Sequence, residues 1–125
     1  MNIPLNTKGK VSLKVDQQDT ALAHGSGSVR VFATPAMVAL MENAAQQSVQ
    51  GHLPAGYTTV GTEIAVKHFK ATPVGQTVEA RSELIEVDGK KLRFTLEAYD
   101  HQGKIGTGTH TRYIVDETAF MNQLV

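Results

Sequence analysis

Thr34, Glu42 and His68 carry the groups of acid–base and nucleophilic chemistry: a hydroxyl, a carboxylate and an imidazole. An imidazole titrates near neutral pH, so His68 can act as a general base toward water or a hydroxyl. A carboxylate such as Glu42 can orient that imidazole, activate water or attack a carbonyl. Each residue also has a plainer role. Thr34 can cap a helix, because its hydroxyl can accept from an orphan backbone N–H. Glu42 lies at the border of a helical face, where its stem packs and its head is wet. His68 shares a strand face with Ile64 and Val66, as a rim histidine satisfied by one hydrogen bond would. Gly61, in the same strand, marks a bulge or a close backbone approach.

The element that positions the first two is the stretch Arg30–Ala45. Thr34 caps, Pro35 fits the first helical position, and a helix runs to Gln50 before Gly51 stops it. At 100° steps, Met37, Val38, Leu40, Met41, Ala44, Ala45 and Val49 form a broad apolar arc. Asn43, Gln46, Gln47 and Gln50 form the polar side, and Glu42 stands between the two.

The rest of the chain reads as strands. Lys10–Val15 alternates, with Val11, Leu13 and Val15 on one face. Ala21–Ser28 is a loop rich in small residues, and Ser28–Phe32 an extended lead into the helix. Beyond the turn at His52–Gly56, a strand covers Tyr57–Phe69. Thr72–Gly75 turns the chain. Gln76–Val87 and Lys90–Asp100 form a hairpin through Asp88-Gly89. Lys104–Val115 follows, with Gly106, Gly108, His110, Arg112 and Ile114 on one face, so something large packs close to the glycines. Asp116 caps a last short helix. Five strands against one long helix predict an α+β fold, in a single domain over residues 1–125. Exposed strand edges predict pairing into a homodimer, or a tetramer of two dimers.

Composition narrows the function. Apolar content of 41% and charged content of 19% indicate a globular chain. Lys+Arg and Asp+Glu both number 12, so there is no electrostatic footprint for nucleic acid or an anionic membrane. Cysteine is absent, which excludes a thiolate zinc site and a cysteine nucleophile. His24, His52 and His101 fall on loops, and no His/Asp/Glu cluster has metal-ligand spacing, so neither metal nor cofactor is expected. The first residues lack an apolar core of signal-peptide length, and Val31–Met41 is too short to span a bilayer. A soluble cytoplasmic protein is expected.

Three motifs in order carry a resemblance: Val31-Phe-Ala-Thr34-Pro-Ala-Met-Val-Ala-Leu-Met-Glu42, Gly61-Thr-Glu-Ile-Ala-Val-Lys-His68-Phe-Lys-Ala-Thr-Pro73-Val-Gly75 and Ile105-Gly-Thr-Gly-Thr-His110-Thr-Arg112. Together they resemble the hot-dog-fold acyl-CoA thioesterases, in the branch typified by fluoroacetyl-CoA thioesterase. The resemblance implies an antiparallel sheet curled around one central helix. It implies hydrolysis of a short acyl-CoA thioester by a Thr/Glu/His set, falling on Thr34, Glu42 and His68, with Gly61 giving backbone approach to the acyl group. Two features depart from that branch. Ala21–Ser28 is short and has no aromatics where the fluoroacetate enzyme has an aromatic lid, and Pro35-Ala36 replaces the residues expected after the threonine. A non-catalytic protein that binds acyl-CoA or another small ligand is the alternative. The pattern of hot-dog hydratases is not found. Lys67, Lys70 and Arg112 are the cations available to the nucleotide end of CoA.

The helix itself poses a geometric problem. Residues 34 and 42 of a regular helix stand about 12 Å apart along its axis, at about 1.5 Å per residue. Either the helix starts later than Pro35, or His68, a water or the second subunit bridges the two.

Overall fold

A single long helix, α2 (Thr34–Gln50), fills the apolar side of a five-stranded antiparallel sheet in the computed structural model, which describes residues 2–124. The elements run β1 (Lys8–Lys14), a 3-10 turn at Gln17–Asp19, α1 (Ala21–His24), α2, β2 (Tyr57–His68), β3 (Thr77–Asp88), β4 (Lys91–Asp100), β5 (Gly103–Asp116) and α3 (Glu117–Asn122). In space the strands are ordered β1-β3-β4-β5-β2, leaving β1 and β2 at the two edges. This is the α+β, hot-dog arrangement expected from the sequence.

The core follows from two periodicities meeting. Met37, Leu40, Met41, Ala44, Ala45 and Val49 of α2 are buried. They face Val78, Ala80 and Leu84 of β3 and Leu92, Phe94, Leu96 and Ala98 of β4. The intervening Lys91, Arg93, Thr95 and Glu97 turn outward, as alternation requires. Glycines set the distance between helix and sheet. A Cβ on Gly106 would stand 2.6 Å from Met37 Sδ, so this glycine admits the helix, whereas one on Gly108 would meet Ala65 and Val66 of the neighbouring strand β2.

Local outcomes differ from expectation at several points. β1 begins two residues earlier, at Lys8, because Lys8 and Gly9 pair with Glu83 and Ser82 of β3. The loop at Ala21–Ser28 holds a one-turn helix, capped by Thr20 and ended by Gly25 at φ 71°. The extended lead is reduced to single bridges at Val31 and Phe32, with Pro73 and Thr20. The β3–β4 loop is Gly89-Lys90, since Asp88 and Lys91 still pair across it. Thr34 does not cap α2. Ala33 holds the cap position, and Thr34 is already in the helix. The bulge expected at Gly61 is present, as a register shift between Gly61 and Glu63 against β5. No helix among the described residues is long and apolar enough to cross a membrane.

The contact between β1 and α2 is the tightest test of this packing. A Cβ on Gly9 would overlap the backbone carbonyl of Ala44 and lie 2.7 Å from Ser82 Oγ. Backbone cannot rotate aside, so strand and helix would have to separate. We expect Gly9→Ala to cost about 2 kcal/mol or more by urea denaturation, against near neutrality for Gly51→Ala, whose Cβ would meet open space.

Candidate active site

The N-terminus of α2 meets the C-terminal end of β2, and there Thr34 Oγ1 lies 2.8 Å from His68 Nδ1. This bond explains why Thr34 makes no cap: its hydroxyl is engaged across the cleft. His68 reaches it because Ile64, Val66 and His68 share the inward-leaning face of β2, while Ala65, Lys67 and Phe69 are exposed. Phe32, fully buried, sets its ring edge-on to the imidazole at 6.3 Å between centroids. The cleft around the pair has a volume of about 370 Å³ and is lined by Val31, Phe32, Thr34, His68, Phe69 and Lys70, among others.

The environment keeps the His68 ring neutral. Burial pushes its pKa below the ordinary 6.5, and the backbone of Lys70 only partly opposes this. Nε2 is buried and makes no hydrogen bond among the described residues. If Nδ1 accepts from the Thr34 hydroxyl, Nε2 carries the ring proton.

Glu42 is not part of this pair. Helix α2 is regular from Thr34, so the carboxylate is carried two turns away, about 12 Å along the axis. There it stands over a second cluster. Its Oε2 lies 3.7 Å from Arg112 Nη1 and 4.0 Å from His110 Nε2. A Cβ on Gly61 would come within 2.8 Å of the same oxygen, so this glycine lets the carboxylate approach the strand. Gly61 therefore sits beside Glu42 and not beside Thr34 and His68. The chain brings together two of the four residues singled out in the sequence, and the other two separately.

Arg112 and His110 lie beside the half-exposed Glu42 carboxylate. Arg112 is 7% exposed, and its guanidinium donates through Nε to Thr59 Oγ1 at 2.8 Å and through Nη2 to the Thr59 carbonyl at 2.9 Å. It is thus spoken for, and not free for the nucleotide end of CoA. His110 Nδ1 donates to the Glu63 carbonyl at 2.8 Å, which leaves Nε2 to accept from Arg112 Nη1 at 3.1 Å. Burial chiefly lowers the His110 pKa, and the Arg112 charge adds to it, so the ring is neutral and the ion pair of Glu42 is with Arg112. The signal for this cluster was present in the sequence: His110 and Arg112 stand two apart on the face that carries Gly106 and Gly108. What the sequence lacked was the register that sets Gly61 opposite Arg112. Among the described residues no group of His, Asp and Glu could hold a metal ion.

Comparison with known proteins gives this geometry a context. The model of the family FlK, fluoroacetyl-CoA-specific thioesterase, matches residues 15–118. The fluoroacetyl-CoA thioesterase of Streptantibioticus cattleyicolor is 42% identical over 85 residues, 68% of this chain. That match spans 61% of the relative's length. A crystal structure of an FlK point mutant superposes with a TM-score of 0.92 at 30% identity, covering 99% of this chain and 96% of that one. An FlK mutant in complex with fluoroacetate and CoA superposes at 0.88 and 31% identity, covering 94% and 99%. A hot-dog-like protein from Thermanaerovibrio acidaminovorans shares the fold at 0.88, 22% identity and coverage of 97% and 90%. With most of its residues matched by the family model and its fold shared from end to end, this chain belongs to the fluoroacetyl-CoA-specific thioesterase family.

Proposed function

We propose that this chain is a single-domain, homodimeric cytoplasmic enzyme that hydrolyses a short acyl-CoA thioester to the free acid and CoA. Thr34, Glu42 and His68 form the reactive set, and Gly61 gives the acyl group close backbone approach. The observation that carries this reading is the Thr34–His68 bond of 2.8 Å at the open N-terminus of a long helix. A neutral imidazole there takes a proton from the Thr34 hydroxyl, or from a water in its place, as the oxygen attacks the thioester carbonyl. The free N–H groups and the dipole of the first turn favour the oxyanion that forms. CoA leaves as a thiolate, which needs little acid assistance. The segment Ala21–Ser28 sets no aromatic side chain over this cleft, so the acyl group is not confined to fluoroacetyl.

The place of Glu42 argues for the dimer. β2 is an edge strand, and Gly61 and His68 stand about 23 Å apart on it at about 3.3 Å per residue. A two-fold axis at Ala65, pairing β2 with its copy, sets Ile64 opposite Val66, and the extra residue of the bulge after Gly61 brings Gly61 of one protomer opposite His68 of the partner subunit. Residues directly opposite in an antiparallel pair point to the same face. Glu42 then reaches the proton on Nε2 of the partner's His68, and each site draws on both chains. The bridge that α2 forbids within one protomer is supplied between two.

The activity test is release of CoA from acetyl-, fluoroacetyl-, butyryl-, phenylacetyl- and longer acyl-CoAs. With no cysteine in the chain, a thiol reagent sees only product. We expect turnover of a short-acyl class, reduced about 10²- to 10⁴-fold by His68→Ala. Tight binding without release would favour the non-catalytic alternative. The shared site is tested by mixing inactive Glu42→Ala and His68→Ala dimers after subunit exchange. Half of the random dimers are mixed and each has one intact site, so about a quarter of wild-type activity returns. No recovery would mean that Glu42 acts within its own chain, and a fully active Glu42→Ala dimer would remove it from the reactive set. In the pH profile of kcat/KM, the base must be unprotonated, and its folded pKa lies below 6.5. Activity therefore rises with pH through a midpoint below 6.5 and is full above it; a midpoint above that value would count against His68 as the base.

A further inference from the structure

Asp100 is a buried carboxylate that the proposed chemistry does not touch. It ends β4, its side chain is fully buried, and three donors converge on it. Lys70 Nζ reaches Oδ2 at 2.5 Å, Thr72 Oγ1 reaches the same oxygen at 2.9 Å, and the Gln102 N–H donates to Oδ1 at 2.9 Å. Burial works to raise the carboxyl's pKa, but these donors together hold it below the ordinary value, so it is an anion. Taking a charge out of water costs several kcal/mol in general, so its placement needs an account.

Two of the three donors come from the strap that follows His68. Phe69, next to His68, gives its N–H to the Ile105 carbonyl at 2.9 Å. Lys70 and Thr72 both close on Asp100. The Thr72 carbonyl then accepts from the Phe32 N–H at 2.8 Å, and Val31 bridges to Pro73. Phe32 lies two residues before Thr34 and packs on the His68 ring. Both halves of the Thr34–His68 pair are therefore tied to one carboxylate: His68 through Lys70, and Thr34 through Thr72 and Phe32. The cation available to an acyl-CoA at this point of the sequence is instead committed inward.

We infer that Asp100 and Lys70 are positioning residues for the reactive pair, a clamp that holds the His68 imidazole and the Thr34 hydroxyl in hydrogen-bonding register. This rests on the reading of Thr34 and His68 as the reactive pair. Although Lys70 lines the cleft, its ammonium is turned to Asp100, so the clamp acts through Thr34 and His68. Its effect falls on the rate of the bound complex, because loss of near-attack geometry slows chemistry without loosening binding.

Lys70→Met removes the ammonium and keeps the stem, and Lys70→Arg restores the charge. We expect Lys70→Met to lower kcat about 10- to 100-fold with KM within about twofold, and Lys70→Arg to recover most of it. The ¹⁵N shifts of the His68 ring report its tautomer without any substrate. They should show one locked form in the wild type and in Lys70→Arg, and a mixture in Lys70→Met. Asp100→Asn should resemble Lys70→Met if it folds. If kcat and the tautomer are both unchanged in a folded Lys70→Met protein, the clamp is wrong. A raised KM with kcat intact would also overturn it, making Lys70 a substrate contact. If the wild type turns over no thioester, the enzymatic reading fails on its own, while the ring shifts still decide whether the clamp holds Thr34 and His68 together.

Discussion

The regular rise of one helix governs the rest of this structure. Once α2 begins at Thr34, every later side chain is set at a fixed height, and Glu42 is carried out of reach of the hydroxyl that starts the helix. The sheet adapts to that rod. Glycines on β1, β2 and β5 let it approach at the points where Ala44, Glu42 and Met37 project. The two polar clusters therefore lie at opposite ends of the same strand, β2, one beside Gly61 and the other at His68.

Each cluster shows how a charge is kept inside a small domain. Arg112 is nearly buried, yet its fork is satisfied by Thr59 and its remaining nitrogen meets a neutral imidazole and the Glu42 carboxylate. Asp100 is buried with three donors from the strap and its own turn. An unpaired charge in either place would cost more than this fold can spare, so the networks are complete. Among the described residues three buried side-chain polar atoms lack a partner, Gln76 Oε1, Ser82 Oγ and His68 Nε2, and the last of these lies in the cleft. An unpaired ring nitrogen beside a hydroxyl is what a site completed by another carboxylate would present, and it supports the proposal that Glu42 of a second copy completes the site.

Legibility varied with the range of the interaction. The alternation of Leu92, Phe94, Leu96 and Ala98 and the arc from Met37 to Val49 were readable because burial follows local period, and both faces are buried as read except for Val38, which is half-buried. The bulge at Gly61 was readable because glycine in a strand has few other uses. The cap at Thr34 was misread because capping is the local option for a hydroxyl at a helix start, whereas the bond to His68 spans 34 residues and depends on where β2 ends. Arg112 was misplaced for a similar reason. An arginine on a strand is ordinarily exposed, and only its pairing opposite Gly61 and beside Thr59 draws it inside.

The sequence by itself determined most elements, the α+β layering and the glycine-lined face, because these rest on periodicity and turn chemistry, and it pointed to Thr34, Glu42, Gly61 and His68 through a resemblance carried by three motifs. Tertiary structure alone decided which of them meet. It paired Thr34 with His68, sent Glu42 to Arg112 and His110, and fastened the strap after His68 to Asp100. The physical reason is that residue type and spacing define what a group can do, whereas strand order and register define whom it touches. Neither is written in any one segment of the chain.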